Sequence, residues 1–118
     1  MVFYCGGYLL TNEQVVTFAE KLRIPVYEAK YPSILVNAHY TKRGLGKPFI
    51  GVTFEGEFYN IWVTQQREDG MVLVDINYEN FEEREHDLGL KKKFEEIGIV
   101  GVRYATIADP HCVAPEYY

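Results

Sequence analysis

The chain has 118 residues, 47% of them hydrophobic and 25% charged, with a formal net charge of −5. That length suits one domain able to bury a core without disulfides or a metal, and the composition is not the low-hydrophobicity, high-charge one of disordered chains. No apolar run reaches the ~18 residues of a membrane span, and the acidic balance argues against general nucleic-acid binding, which needs a basic face to meet the phosphates.

The N-terminal stretch Met1-Val2-Phe3-Tyr4-Cys5-Gly6-Gly7 lacks a basic region and a cleavage site, so it reads poorly as a signal peptide. Two cysteines, Cys5 and Cys112, are too few for a disulfide framework. The expectation is a cytoplasmic protein with both thiols reduced; a single clasp between the termini is the alternative in an oxidising compartment.

A helix is predicted over Asn12 to Leu22. Thr11 and Gln14 stand at capping-box spacing, Leu10 and Val15 at that of a hydrophobic staple, and Val15, Phe18, Ala19 and Leu22 share one apolar face. Pro25 ends the element. Ser33 to Tyr40 is short and rich in β-branched residues, which predicts a strand, and Thr41 to Pro48 is a loop punctuated by two glycines.

Three strands are then expected: Phe49 to Phe54 and Phe58 to Thr64 around a tight Glu55-Gly56-Glu57 turn, and Met71 to Asn77 after a turn over Arg67 to Gly70. Alternation puts Ile50, Val52, Phe54, Tyr59, Ile61, Val63, Val72, Val74 and Ile76 on the face that helices should cover. The opposite face carries Phe49, Phe58, Trp62, Met71 and Leu73 and is too apolar to be wet, so the N-terminal segment, the tail, a ligand or another subunit is expected over it. Asn80 to Ile97 reads as helical with a break near Gly89, where two apolar registers meet, and with Gly98 as its stop. A last strand follows over Ile99 to Ile107. The prolines of residues 109–118 favour an extended tail.

The order of elements predicts a single α+β domain over residues 1–118: a mainly antiparallel sheet of four to five strands, with two helical segments packed on one face.

Chemistry is sparse. Cys5-Gly6-Gly7 pairs a thiol with exposed backbone N–H groups, which a nucleophile beside an oxyanion hole requires; His39 or His111 would have to serve as its base. A small buried Cys at a strand end reads the same residues without chemistry. Asp109-Pro110-His111-Cys112 gathers an acid, an imidazole and a thiol, but the spacing fits no usual zinc pattern and no metal or other cofactor is expected. Glu83 and His86 form one Glu-x-x-His, better read as a solvated acidic helix face.

Lys42-Arg43-Gly44-Leu45-Gly46-Lys47 is a basic loop that fails the phosphate-loop pattern yet offers Lys42, Arg43 and Lys47 to an anion or an acidic partner. Phe58, Trp62, Tyr117 and Tyr118 are candidate contacts for a partner or an aromatic ligand, because such side chains join a large ring to sites that pair poorly inside a monomer. Charge is segregated too: residues 1–54 carry +3, 55–87 carry −8 and 88–118 are neutral.

The expected function is a binding or protein-interaction module, self-associating through the aromatic sheet face or the tail. A small thiol-dependent enzyme and a binding protein for a small ligand, a sugar or an aromatic metabolite, are the alternatives; the partner expected is a second copy or another protein, or else a small anionic or aromatic ligand.

Overall fold

A computed structural model describes residues 2–26, 30–69 and 81–109. The chain begins with strand β1 (Val2–Leu10), followed by helix α1 (Asn12–Lys21), helix α2 (Pro32–Lys42), strands β2 (Phe49–Phe54) and β3 (Glu57–Asp69), helix α3 (Glu85–Glu96) and strand β4 (Arg103–Asp109). The four strands form one antiparallel sheet in the order β2-β3-β1-β4. The fold is α+β, with three helices rather than two.

α1 forms as its pattern predicts. Thr11 Oγ1 accepts from the Gln14 N–H at 3.2 Å, while Gln14 Oε1 accepts from the Thr11 N–H at 2.9 Å. Val15, Phe18 and Ala19 are buried, but Leu22 caps the C-terminus and is exposed rather than part of the apolar face. The β2–β3 hairpin also follows its pattern. Glu55 (φ 51°) and Gly56 (φ 80°) are its two central residues, the left-handed pair that matches strand twist.

Residues 33–40 are helical, not extended. Pro32 supplies the preset φ of a first helical turn, and the buried Val36 and half-buried Tyr40, four apart, give the segment one core-facing edge. Strand propensity is a weak local preference, and this packing overrides it. Between the helical segment and β4, α3 begins later than expected and runs unbroken through Gly89. Phe81 lies outside the helix and Leu88 is exposed, so the helix has one apolar register, Leu90, Phe94 and Ile97. Gly101 at φ +74° breaks the backbone ahead of β4, which therefore starts at Arg103 rather than Ile99. β3 continues through Arg67-Glu68-Asp69, where a turn was expected; Met71 to Asn77 lies outside the described residues, as does the tail from Pro110.

The two sheet faces are grouped as alternation predicts, but the helices choose the other one. Phe49, Trp62, Tyr8, Leu10 and Tyr104 pack with Val15, Phe18, Val36 and Phe94 of the three helices. Ile50, Val52, Ile61, Cys5, Leu9, Ala105 and Ile107 form a second buried cluster on the opposite face. Large rings suit the helix side because they must span the roughly 10 Å that separates packed layers. The N-terminal segment, one of the four candidates for covering the aromatic face, is instead a central strand.

A β-bulge interrupts the β1–β3 ladder. Gly6 pairs with Gln65 and Gly7 with Val63, so Thr64 is the extra residue. A Cβ on Gly7 would collide with the Trp62 carbonyl, which makes glycine necessary there. The bulge turns Thr64 and Gln65 towards the same partner: both reach the Tyr104 hydroxyl, at 3.0 and 2.7 Å.

Candidate functional site

The residues 32–54 form a helix, a loop and an edge strand that return on one another. α2 runs antiparallel to β2, and Asn37 in mid-helix fastens it to the first strand residue. Its Nδ2 donates to the Phe49 carbonyl at 2.9 Å, and its Oδ1 accepts from the Phe49 N–H at 3.0 Å. Beyond that fastening the helix and strand diverge around an open groove of about 650 Å³. Ile34, Ala38 and Thr41 of α2 form one wall, at the spacing of a single helix stripe, with Phe49 and Gly51 of β2 opposite.

The ends of the groove differ. Tyr31 and Phe58 stand at one end, their rings 6.0 Å apart in an edge-to-face contact, 44% and 47% exposed. Phe58 lies across Gly51, where an added Cβ would approach its ring to 3.0 Å. Lys42 and Lys47 stand at the other end, the only charged side chains among the described residues lining the groove.

Among the described residues β2 is an edge strand of the sheet. The Val63 N–H donates to the Pro48 carbonyl at 3.2 Å, so Pro48, Ile50, Val52 and Phe54 turn their backbone groups towards β3, while Phe49, Gly51 and Thr53 turn theirs outward. Asn37 takes those of Phe49. Among the described residues nothing takes the outward groups of Gly51 and Thr53. Among the described residues the groove is thus an apolar trough with an open strand edge, aromatic at one end and basic at the other.

Three of the residues singled out from sequence, Phe58, Lys42 and Lys47, line this trough. Trp62 does not. It is enclosed by the rings of Phe18, Phe49, Tyr40 and Phe94, with centroids 5.1 to 6.0 Å away, and belongs to the core. Arg43 caps α2 and turns back on His39, its Nη1 3.0 Å from His39 Nδ1. Partial burial, then the positive charges of Arg43 and Lys42, lower the His39 pKa, and because a guanidinium only donates, His39 Nδ1 is the acceptor in this contact.

The proposed thiol constellation is not assembled among the described residues. Cys5 is fully buried in the central strand and disulfide-bonded, not a reduced thiol. It belongs to the cluster opposite the helices, whereas His39 rides on α2, so the sheet lies between them. His111, Cys112, Tyr117 and Tyr118 lie outside the described residues. Glu83, which precedes α3, accepts from the buried Tyr8 hydroxyl at 2.8 Å, while the exposed His86 points to Asp87, so the Glu-x-x-His does not form one helix face.

Ile34 and Ala38 were missed as site residues because residues 33–40 read as a strand. A helical reading puts Ile34, Ala38 and Thr41 in one row, next to the basic loop. Among the described residues no group of three or more His, Cys, Asp or Glu is placed to hold a metal ion, and no helix is long and apolar enough to cross a membrane. In comparisons with protein-family models, curated proteins and solved structures, the chain matches none.

Proposed function

We propose that the protein is a binding module that docks an extended segment of a partner protein in the trough between α2 and β2. One observation carries this reading: an apolar groove runs directly beside an open strand edge. An added strand gains main-chain hydrogen bonds from the edge while its alternate side chains enter the groove. Exposed edges otherwise invite uncontrolled pairing, and proteins usually cover or blunt them. Here the neighbouring surface is apolar and aromatic instead. The aromatic sheet face expected to serve self-association lies under the helices, and the tail, its alternative, lies outside the described residues.

The compartment bears on the partner. A disulfide at Cys5 is sustained in oxidising compartments and is uncommon in the cytoplasm, so we place the partner with the former.

The test is selection of binders from a displayed library of random extended peptides, followed by competition with the variant Ala38→Trp. Ala38 is exposed on the groove wall, so the larger ring fills the trough without entering the core. The expected result is loss of peptide binding with an unchanged circular dichroism spectrum. Binders that ignore Ala38→Trp overturn the proposal. A dimer in light scattering that Ala38→Trp dissociates replaces the partner segment with a second copy of the chain. Displacement by a long-chain carboxylate alone, with no peptide selected, makes the groove a small-ligand site, for which its volume is also suitable.

A further inference from the structure

We infer that the trough recognises the free C-terminal end of its partner, with the terminal carboxylate seated between Lys42 and Lys47. This rests on the reading of the trough as a peptide-docking edge and names the part of the partner that it takes.

The polarity of β2 supplies the first argument. Every strand pair in the sheet is antiparallel, and an antiparallel pairing is the more stable ladder per residue. A strand added antiparallel to β2 runs from the Tyr31–Phe58 end towards the Lys42–Lys47 end, so its C-terminal direction points at the lysines. The second argument is where the ladder stops. Asn37 occupies both outward groups of Phe49, so main-chain pairing is available at Gly51 and Thr53 and ends there. A chain arriving at Phe49 finds no further strand partner. A chain that terminates at this point loses nothing and delivers its carboxylate to the basic end.

Charge supplies the third argument. The protein carries −5 overall, yet the described residues lining the trough include two lysines and no acid. A carboxylate held by ammonium groups at the edge of an apolar groove is a charge-assisted contact, roughly twice as strong as a neutral hydrogen bond. The apolar walls then select the residues before the terminus: aliphatic ones against Ile34 and Ala38, and an aromatic one against Tyr31 and Phe58.

The experiment uses the full chain and heptapeptides selected with free C-termini, each compared with its C-terminal amide. Amidation is expected to weaken binding about tenfold or more, the scale of a charged contact. In Lys42→Gln/Lys47→Gln the free acid should bind as weakly as the amide, so the difference between the two peptides disappears. Thr53→Pro removes an outward N–H without touching the β3 ladder, and should weaken both peptides alike. Equal binding of acid and amide by the wild-type protein, with Ala38→Trp still abolishing both, overturns C-terminal recognition while leaving the docking trough in place. Binding that survives Ala38→Trp removes the trough and this inference together.

Discussion

Asn37 and Phe49 form a closed pair in which one side-chain amide satisfies both outward backbone groups of an edge-strand residue, at 2.9 and 3.0 Å. The same contact joins α2 to the sheet, ends the open edge and sets the width of the trough. Replacing the amide leaves two partly buried backbone groups to solvent or to each other. Asn37→Leu, close in size, is expected to cost about 1–3 kcal/mol, at roughly 1 kcal/mol per lost hydrogen bond plus desolvation. The urea midpoint measures it. A variant as stable as the wild type would show that the pair does not hold the helix.

Asp87 provides the pH dependence. It is fully buried, and its Oδ2 accepts from the Arg84 N–H at 2.8 Å and from Gln65 Nε2 at 3.0 Å. Burial pushes its pKa up, but hydrogen bonds from the Arg84 N–H, Thr64 and Gln65 and the charge of His86 outweigh burial and leave it below the usual carboxylate value. The His86 ring lies 3.2 Å from Oδ1, close enough for an ion pair but without hydrogen-bond geometry. A folded pKa below the unfolded one means the stabilisation is fully present above the ordinary carboxylate range and fades as pH falls through the folded value. Asp87→Ala should therefore lower stability by about 2–4 kcal/mol at neutral pH, since it strips Gln65 and Arg84 of a buried acceptor. Its deficit should shrink in acid. Denaturation midpoints of both proteins between pH 7 and pH 3 check this, and parallel curves would refute it.

Tyr8 extends the same contact. Its hydroxyl lies 2.8 Å from Glu83 Oε2 and 2.9 Å from the Asp87 carbonyl, and burial, then Glu83, hold its pKa well above the ordinary phenol value. Tyr8→Phe keeps the ring contacts with Phe94 and Tyr104 while deleting the donor. A loss of about 1–2 kcal/mol is expected, with the first change in hydrogen exchange at residues 85–90. An unchanged exchange pattern would mean that α3 is anchored by its apolar face alone.

Gly7 tests the bulge. Alanine at this position meets the Trp62 carbonyl, a backbone atom that has no rotamer by which to move aside. Gly7→Ala should cost about 1–3 kcal/mol, the usual range for overpacking, and shift the fluorescence of Trp62. Gly46→Ala, with open space around the added Cβ, serves as the control expected to stay near wild type.

Cys5 gives a chemical prediction. With its sulfur disulfide-bonded and the side chain fully buried, Cys5 of the native protein should not react with a thiol reagent until a reductant is added. Cys5→Ser is expected to lose about 2–4 kcal/mol, the common worth of a disulfide. Rapid alkylation of Cys5 without reductant would restore the thiol nucleophile as a reading.

Much of the architecture was legible locally. The capping box at Thr11 and Gln14, the Glu55-Gly56 turn and the boundaries of Phe49–Phe54 all depend on residues within a few positions of one another, and the α+β class follows from their order. Residues 33–40 were not legible in this way. Their β-branched content argues for a strand, and only the packing of Val36 and Tyr40 against Phe18, Phe49 and Trp62 makes the helix the lower state. That one change of element hid the site, because Ile34, Ala38 and Thr41 share a face only when wound into a helix.

Alternation along β2 and β3 determined which side chains stand together, since a period of two is a property of the strand itself. Which of those faces receives the helices was decided by tertiary structure. Both faces are apolar, and the choice depends on Tyr8 and Tyr104 joining Phe49 and Trp62 from strands far away in sequence. Charge follows the same division. The basic character of residues 42–47 is plain in the sequence, but its meaning comes from standing at one end of a trough whose open edge is cut off by Asn37. A composition records how many lysines there are; only the fold sets two of them at one end of a groove beside an edge strand.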